Sequence, residues 1–155
     1  MKGWARLLLW GVVLLVAACA GGPQGPFYTS AEVPPLPPNL ARIYFYRDLE
    51  PYESLAEPWI SLNGERTTLS VPGGVSYRDV PPGEYRISVA SPGLYPNQNK
   101  TVVLHAGETL YVKIASLFSW DQGLHWARDT FVVTLIGPIE ARQQLAQMRL
   151  VSGLP

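Results

Sequence analysis

Between residues 41 and 136 apolar and polar side chains alternate with a period of two in short runs, and turn residues break those runs every eight to twelve positions. Period two puts successive side chains on opposite faces of an extended strand, so this part of the chain can build sheets but not amphipathic helices. In residues 41–47, Ile43 and Phe45 alternate with Tyr44 and Tyr46, which predicts the first strand. Residues 59–62 and 66–69 flank Asn63-Gly64, a pair that tolerates φ > 0 and marks a two-residue hairpin. Pro72-Gly73-Gly74 and Pro81-Pro82-Gly83 bracket residues 75–80, where Val75 and Tyr77 share a face. Residues 84–90 follow, with Tyr85, Ile87 and Val89 alternating with Arg86 and Ser88 as in a half-buried strand. Residues 101–105 and 108–117 read as another hairpin around Ala106-Gly107, with Leu110, Val112 and Ile114 inward and Tyr111 and Lys113 outward. Residues 131–136 are apolar on both faces, which predicts a central strand.

Gly137 closes that run, and Pro138 suits the first position of a helix, where its missing N–H costs nothing. Pro138, Ala141, Leu145 and Met148 then recur at spacings of three and four opposite Arg142, Gln143, Gln144 and Gln147. A short amphipathic helix capping the sheet is expected, ended by Gly153 and Pro155. About eight short strands and one helix predict a mostly β protein, an antiparallel β-sandwich or partly closed barrel with a short C-terminal helix.

The N-terminus follows a different logic. Lys2 and Arg6 precede an apolar run, residues 7–18, broken only by Gly11, and Ala17-Ala18 stand ahead of Cys19, the chain's single cysteine. This is the order of a secretory signal. The run is about a dozen residues, whereas a spanning helix takes about 20. The basic residues favour the cytoplasmic side, so Cys19 leads outward. Val16-Ala17-Ala18-Cys19 resembles the bacterial lipobox, in which the cysteine sulfur takes a diacylglycerol and the residue becomes an acylated N-terminus. The resemblance implies a signal peptide over residues 1–18, palmitate-type acylation at Cys19 and a lipoprotein of the cell envelope. Two or three chains, each buried CH2 contributing about 0.8 kcal/mol, would hold it durably in the membrane. Ala20 stands where an aspartate would resemble an inner-membrane retention signal, which points to the outer membrane, facing the periplasm.

Residues 20–40 contain Pro23, Pro26, Pro34, Pro35, Pro37 and Pro38 with Gly21, Gly22 and Gly25. Such a segment favours extended polyproline II at about 3.1 Å per residue, so residues 19–40 are expected to tether the domain, residues 41–155, as much as about 60 Å from the bilayer. Residues 33–38 also have the form of a proline-rich ligand, for which spacer is the preferred reading. With the signal removed, ten basic residues face twelve acidic ones. No basic stripe remains for a phosphate backbone, and nucleic acid is not an expected partner.

Residues 41–47 (Ala-Arg-Ile-Tyr-Phe-Tyr-Arg), the Leu62-Asn63-Gly64 turn, residues 80–85 (Val-Pro-Pro-Gly-Glu-Tyr) and Gly107-Glu108 with Tyr111-Val112-Lys113 resemble a domain-of-unknown-function family common in bacterial lipoproteins. The Pro-Gly-Glu-Tyr hairpin is also similar to PEGA-type surface β-domains. These resemblances imply an envelope location and a β-sandwich-like fold, and no activity.

A search for chemistry finds little. His105 and His125 are the only histidines, twenty residues apart and without a cysteine partner, which matches no metal spacing. Asp48, Glu50, Glu53 and Glu57 lack the alternate-residue ligands and central glycine of a calcium loop. There is no Gly-x-Ser-x-Gly elbow, Ser-x-x-Lys or phosphate-binding glycine loop. The candidate surface is residues 119–129, with Trp120, Asp121, His125, Trp126 and Arg128. Indoles there could stack on sugars or anchor a protein, or fold back to plug the sandwich, which is the preferred reading. A non-enzymatic binding or scaffolding module without a cofactor is therefore expected, with an envelope protein as partner. Peptidoglycan bound through Trp120 and Trp126 is the alternative, and a small hydrolase using Asp121, His125 or Asp129 the second.

Overall fold

Strand β1 (Ala41–Tyr46) is buried along its whole length, on both faces, and the domain is layered around it. The computed structural model describes residues 23, 25–49, 54–92, 98–117 and 130–151. In chain order β1 is followed by β2 (Trp59–Leu62), β3 (Glu65–Leu69), β4 (Gly74–Val80), β5 (Gly83–Val89), β6 (Asn99–Leu104), β7 (Thr109–Leu117) and β8 (Thr130–Ile136). Helix α1 (Pro138–Leu145) and a short β9 (Arg149–Leu150) complete it. The strands form two sheets, ordered β8-β7-β1-β4-β9 and β3-β2-β5-β6. Among the described residues the fold is a mostly β sandwich with one short α-helix and no closed barrel.

Ile43 and Phe45 of β1 join Ile60, Ile87, Val112 and Phe131 in the core between the sheets. Tyr44 and Tyr46 enter a second apolar layer with Val75, Tyr111, Ala141, Leu145 and Met148, where α1 lies over the outer face of the five-stranded sheet. Tyrosine suits that layer because its ring is apolar up to a hydroxyl that can reach a polar partner. Tyr111, expected outward, is therefore buried beneath the helix.

The Asn63-Gly64 hairpin forms as expected, with φ of 52° and 89° at its two turn residues. The hairpin expected around Ala106-Gly107 does not form. β6 pairs with β5 in one sheet, while β7 pairs with β1 and β8 in the other. The turn instead carries the chain between sheets, with Gly107 at φ +78°. Its N–H donates to the Leu40 carbonyl at 2.8 Å and Arg42 N–H donates to the Glu108 carbonyl at 2.9 Å, which starts a parallel β1–β7 ladder. A turn signal marks where a chain bends, not which sheet the next strand joins, so antiparallel order throughout did not follow from it. β4 and β9 are also parallel.

β8, expected to be central, lies at the edge of its sheet among the described residues. Its apolar residues divide between layers: Phe131 and Val133 face the sandwich core, and Ile136 packs toward the helix. The helix buries Ala141 and Leu145 as the spacing predicts, but Pro138 is exposed and the helix stops at Leu145. The open edge of β4 captures the chain beyond the helix: Arg149 N–H donates to the Gly73 carbonyl at 3.0 Å and Val151 N–H to the Val75 carbonyl at 2.8 Å.

The segment expected as a spacer is fastened to the domain from Gly25 onward. Leu150 N–H donates to the Pro26 carbonyl and Tyr28 N–H to the Met148 carbonyl, both at 2.8 Å. Arg42 donates to the Pro34 carbonyl at 2.7 Å, and Tyr28 meets Tyr44 edge-on with centroids 5.7 Å apart. Few charges and many prolines rule out a core of its own, yet such a chain can still pair with an exposed edge and pack an aromatic ring against other rings.

Candidate functional site

Two residues beyond β1 the chain passes beside the turn that precedes β4, and α1 closes the third side of a cleft of about 500 Å³. Asp48, Leu49 and Gly73 line it from one side, and Gln143 and Gln144 of α1 with Gln147 just beyond the helix from the other. The helix supplies amides there because its apolar stripe is spent on the tyrosine layer, which turns the opposite stripe outward.

Gln144 is held in place from both sides of its amide. The Tyr46 hydroxyl donates to Gln144 Oε1 at 2.7 Å, and Gln144 Nε2 donates to Glu140 Oε1 at 3.1 Å. Burial pushes the Tyr46 pKa up, and the Asp48 and Glu140 carboxylates push it further, so the hydroxyl stays a donor. Asp48 is ion-paired with Lys113 of β7, which offsets its charge. The cleft thus offers amide donors and acceptors, one neutralised carboxylate, and the apolar sides of Leu49 and Met148. Such a lining can hydrogen-bond to a polar surface.

A second, shallower cleft of about 350 Å³ lies at the opposite end of the strands, between the Asn63-Gly64 hairpin and the end of β4. Its polar groups are used within the fold: Arg78 of β4 donates to the Thr67 carbonyl of β3 at 2.9 Å, and the Tyr85 hydroxyl to the Pro81 carbonyl at 2.7 Å. Beneath the N-terminal segment, Tyr44 stacks on Tyr111 at 5.4 Å and 7°, while Arg42 sits 4.5 Å over the Tyr77 ring.

Trp120, Asp121, His125, Trp126, Arg128 and Asp129 lie outside the described residues, as do Cys19, Glu50 and Glu53. His105 is exposed, and its contacts are local: its backbone N–H donates to Glu108 Oε2 at 2.8 Å and its Nδ1 lies 3.3 Å from the same oxygen. Asp48 belongs to the cleft and not to an acidic cluster, and no group of three metal-ligating side chains occurs among the described residues. No helix among the described residues is long and apolar enough to cross a membrane. The cleft itself was signalled only by the run of glutamines on the polar face of α1, which a helix would carry for solubility in any case.

No curated protein and no solved structure matches the chain. The family model described as a protein of unknown function, DUF2846, matches residues 37–124, and the chain belongs to that family.

Proposed function

We propose that this protein is a lipid-anchored cell-envelope module that binds or scaffolds a partner protein without catalysing a reaction. The anchor is Cys19, for the signal-like order of charge, apolar run and small residues before it. The observation that carries the binding reading is the cleft between Leu49 and α1. Gln143, Gln144 and Gln147 line it together with a carboxylate already neutralised by Lys113, which offers hydrogen-bonding side chains with no group poised for proton transfer. Docking of the chain from Gly25 onward keeps the domain within a few residues of the anchor.

In-cell crosslinking with a photoreactive residue at Gln143 or Gln147 tests the reading. A defined envelope protein crosslinked from both positions, and lost with Gln144→Ala, supports it. Adducts to peptidoglycan alone, reduced by Trp120→Ala with Trp126→Ala, would replace it with the glycan reading, and turnover of an envelope ester or glycoside abolished by Asp121→Asn would replace it with the hydrolase.

A further inference from the structure

We infer that the end of the domain carrying Phe27 and Leu49 rests on the phospholipid surface in which Cys19 is anchored; the inference depends on the lipid-anchor reading above. The argument begins with chain length. Four residue steps separate Cys19 from Pro23, and each spans at most about 3.6 Å, so Cys19 lies within about 14 Å of Pro23 whatever path the chain takes. The headgroup layer accounts for about 6 Å of that distance. Pro23 thus sits no more than about 8 Å above the lipid, too near for another folded domain to intervene.

What surrounds Pro23 suits such a surface. A Cβ added at Gly73 would meet Leu49 at 3.2 Å and Pro23 at 3.7 Å, so both side chains flank that glycine. Gly73 is hydrogen-bonded through its carbonyl to Arg149, whose guanidinium lies 4.2 Å over the Phe27 ring and donates to the Gly25 carbonyl at 2.9 Å. Pro23 and Leu49 therefore meet at Gly73, and Phe27, bridged to Arg149 one strand away, lies at the same end of the sheet, beside the point where the chain leaves for Cys19. Leu49 is 67% exposed and Phe27 47%, so neither side chain is spent on the core. Two exposed apolar side chains, one of them with an arginine over its ring, suit the interface, where rings and alkyl chains enter the acyl boundary and cations stay near phosphate. Two such side chains would hold a free protein weakly. For a domain already tethered a few residues away, the contact is intramolecular in effect, and a weak one is enough. The amide-lined cleft shares Leu49 and Gly73 with this end of the domain, so its partner is met at bilayer level.

The test uses the acylated full-length protein in vesicles of phosphatidylethanolamine and phosphatidylglycerol. With Cys19 acylated the chain has no other thiol, so an environment-sensitive maleimide dye reports a single position in Phe27→Cys, Leu49→Cys and, at the far hairpin, Glu65→Cys. The expected result is a blue-shifted dye at 27 and 49, quenched severalfold more by headgroup-borne nitroxide than the dye at 65. Equal, water-like emission at all three positions overturns the docking while leaving the anchor intact. The mass of the N-terminal peptide reads the anchor separately: an unacylated Cys19 overturns both. Hydrogen exchange of the unsubstituted protein guards against a misfolded variant, since peptides covering residues 26–31 and 47–49 should slow on vesicles and a peptide over residues 62–66 should not; no difference between them also overturns the docking.

Discussion

Arg42 grips Asp79 with two prongs, Nε to Oδ1 at 2.6 Å and Nη2 to Oδ2 at 2.8 Å, joining β1 to β4 across 37 positions of sequence. Its remaining nitrogen donates to the Pro34 carbonyl at 2.7 Å, so one guanidinium ties two strands to the N-terminal segment. The pair is nearly buried on the arginine side and about one-fifth exposed at the carboxylate. Removing the cation leaves a partly desolvated carboxylate and an unbonded carbonyl. Arg42→Ala is expected to cost about 2–3 kcal/mol in urea unfolding, below the range for a fully buried pair because water still reaches Asp79. Arg42→Lys should recover little, since an ammonium cannot satisfy a two-pronged carboxylate and a carbonyl at once. Wild-type stability in either variant would show that the contact is decorative.

Tyr46 and Tyr28 set an alkaline limit. Burial raises both phenol pKa values above the ordinary tyrosine value near 10, with the Asp48 and Glu140 carboxylates adding for Tyr46 and the Tyr44 hydroxyl for Tyr28. For an acid raised on folding, the unfolded chain releases its proton first. Stability is therefore complete below pH 10 and declines as pH climbs above it. An unfolding series from pH 8 to pH 11.5 should show this decline, shallower in Tyr46→Phe. At pH 7 the same variant should lose about 1 kcal/mol for the bond to Gln144.

Gly25 lies hard against the β9 backbone. A Cβ there would stand 1.6 Å from the Leu150 carbonyl oxygen, a backbone atom that cannot swing aside. Gly25→Ala is expected to detach the segment around Pro26 and Phe27 while leaving the sandwich core intact. Limited proteolysis should then cut between residues 25 and 33 at least tenfold faster, with the main thermal transition shifted by only a few degrees. Unchanged cleavage would mean that the segment is held mainly by Arg42 and Tyr28.

Much of this fold could be read from local pattern. Asn63-Gly64 specifies its own hairpin because the constraint is the φ of two adjacent residues, and Ala141 with Leu145 declares the buried side of a helix. Pairing between distant strands is another matter. Nothing near Gly107 states that β7 will lie parallel to β1, because that choice is made by packing along the length of both strands and by the Arg42 and Leu40 backbone contacts far upstream. β8 misled for a related reason: apolar residues on both faces signal two covered faces, and a helix can cover one of them at a sheet edge as well as at its centre. Cleft residues were harder still. Gln143, Gln144 and Gln147 look like ordinary solvent-facing residues until Asp48 and Leu49 are brought opposite them.

The two faces of β1 provide the last prediction, because they distinguish a three-layer molecule from a sandwich with a helix loosely attached. Ile43 is fully buried between the sheets, and Ile43→Ala should cost about 3 kcal/mol from lost transfer energy and the cavity left behind. Tyr44 points the other way, stacked on Tyr111 and met edge-on by Tyr28. If the helix and the N-terminal segment form a packed layer over it, Tyr44→Ala should cost as much as Ile43→Ala, about 3 kcal/mol or more, since a large ring is lost from a site its neighbours cannot fill. A tyrosine on an ordinary exposed sheet face would cost about 1 kcal/mol or less. Denaturant midpoints of the two variants at equal slope decide between these structures, and a cheap Tyr44→Ala would mean that the outer layer contributes little to folding.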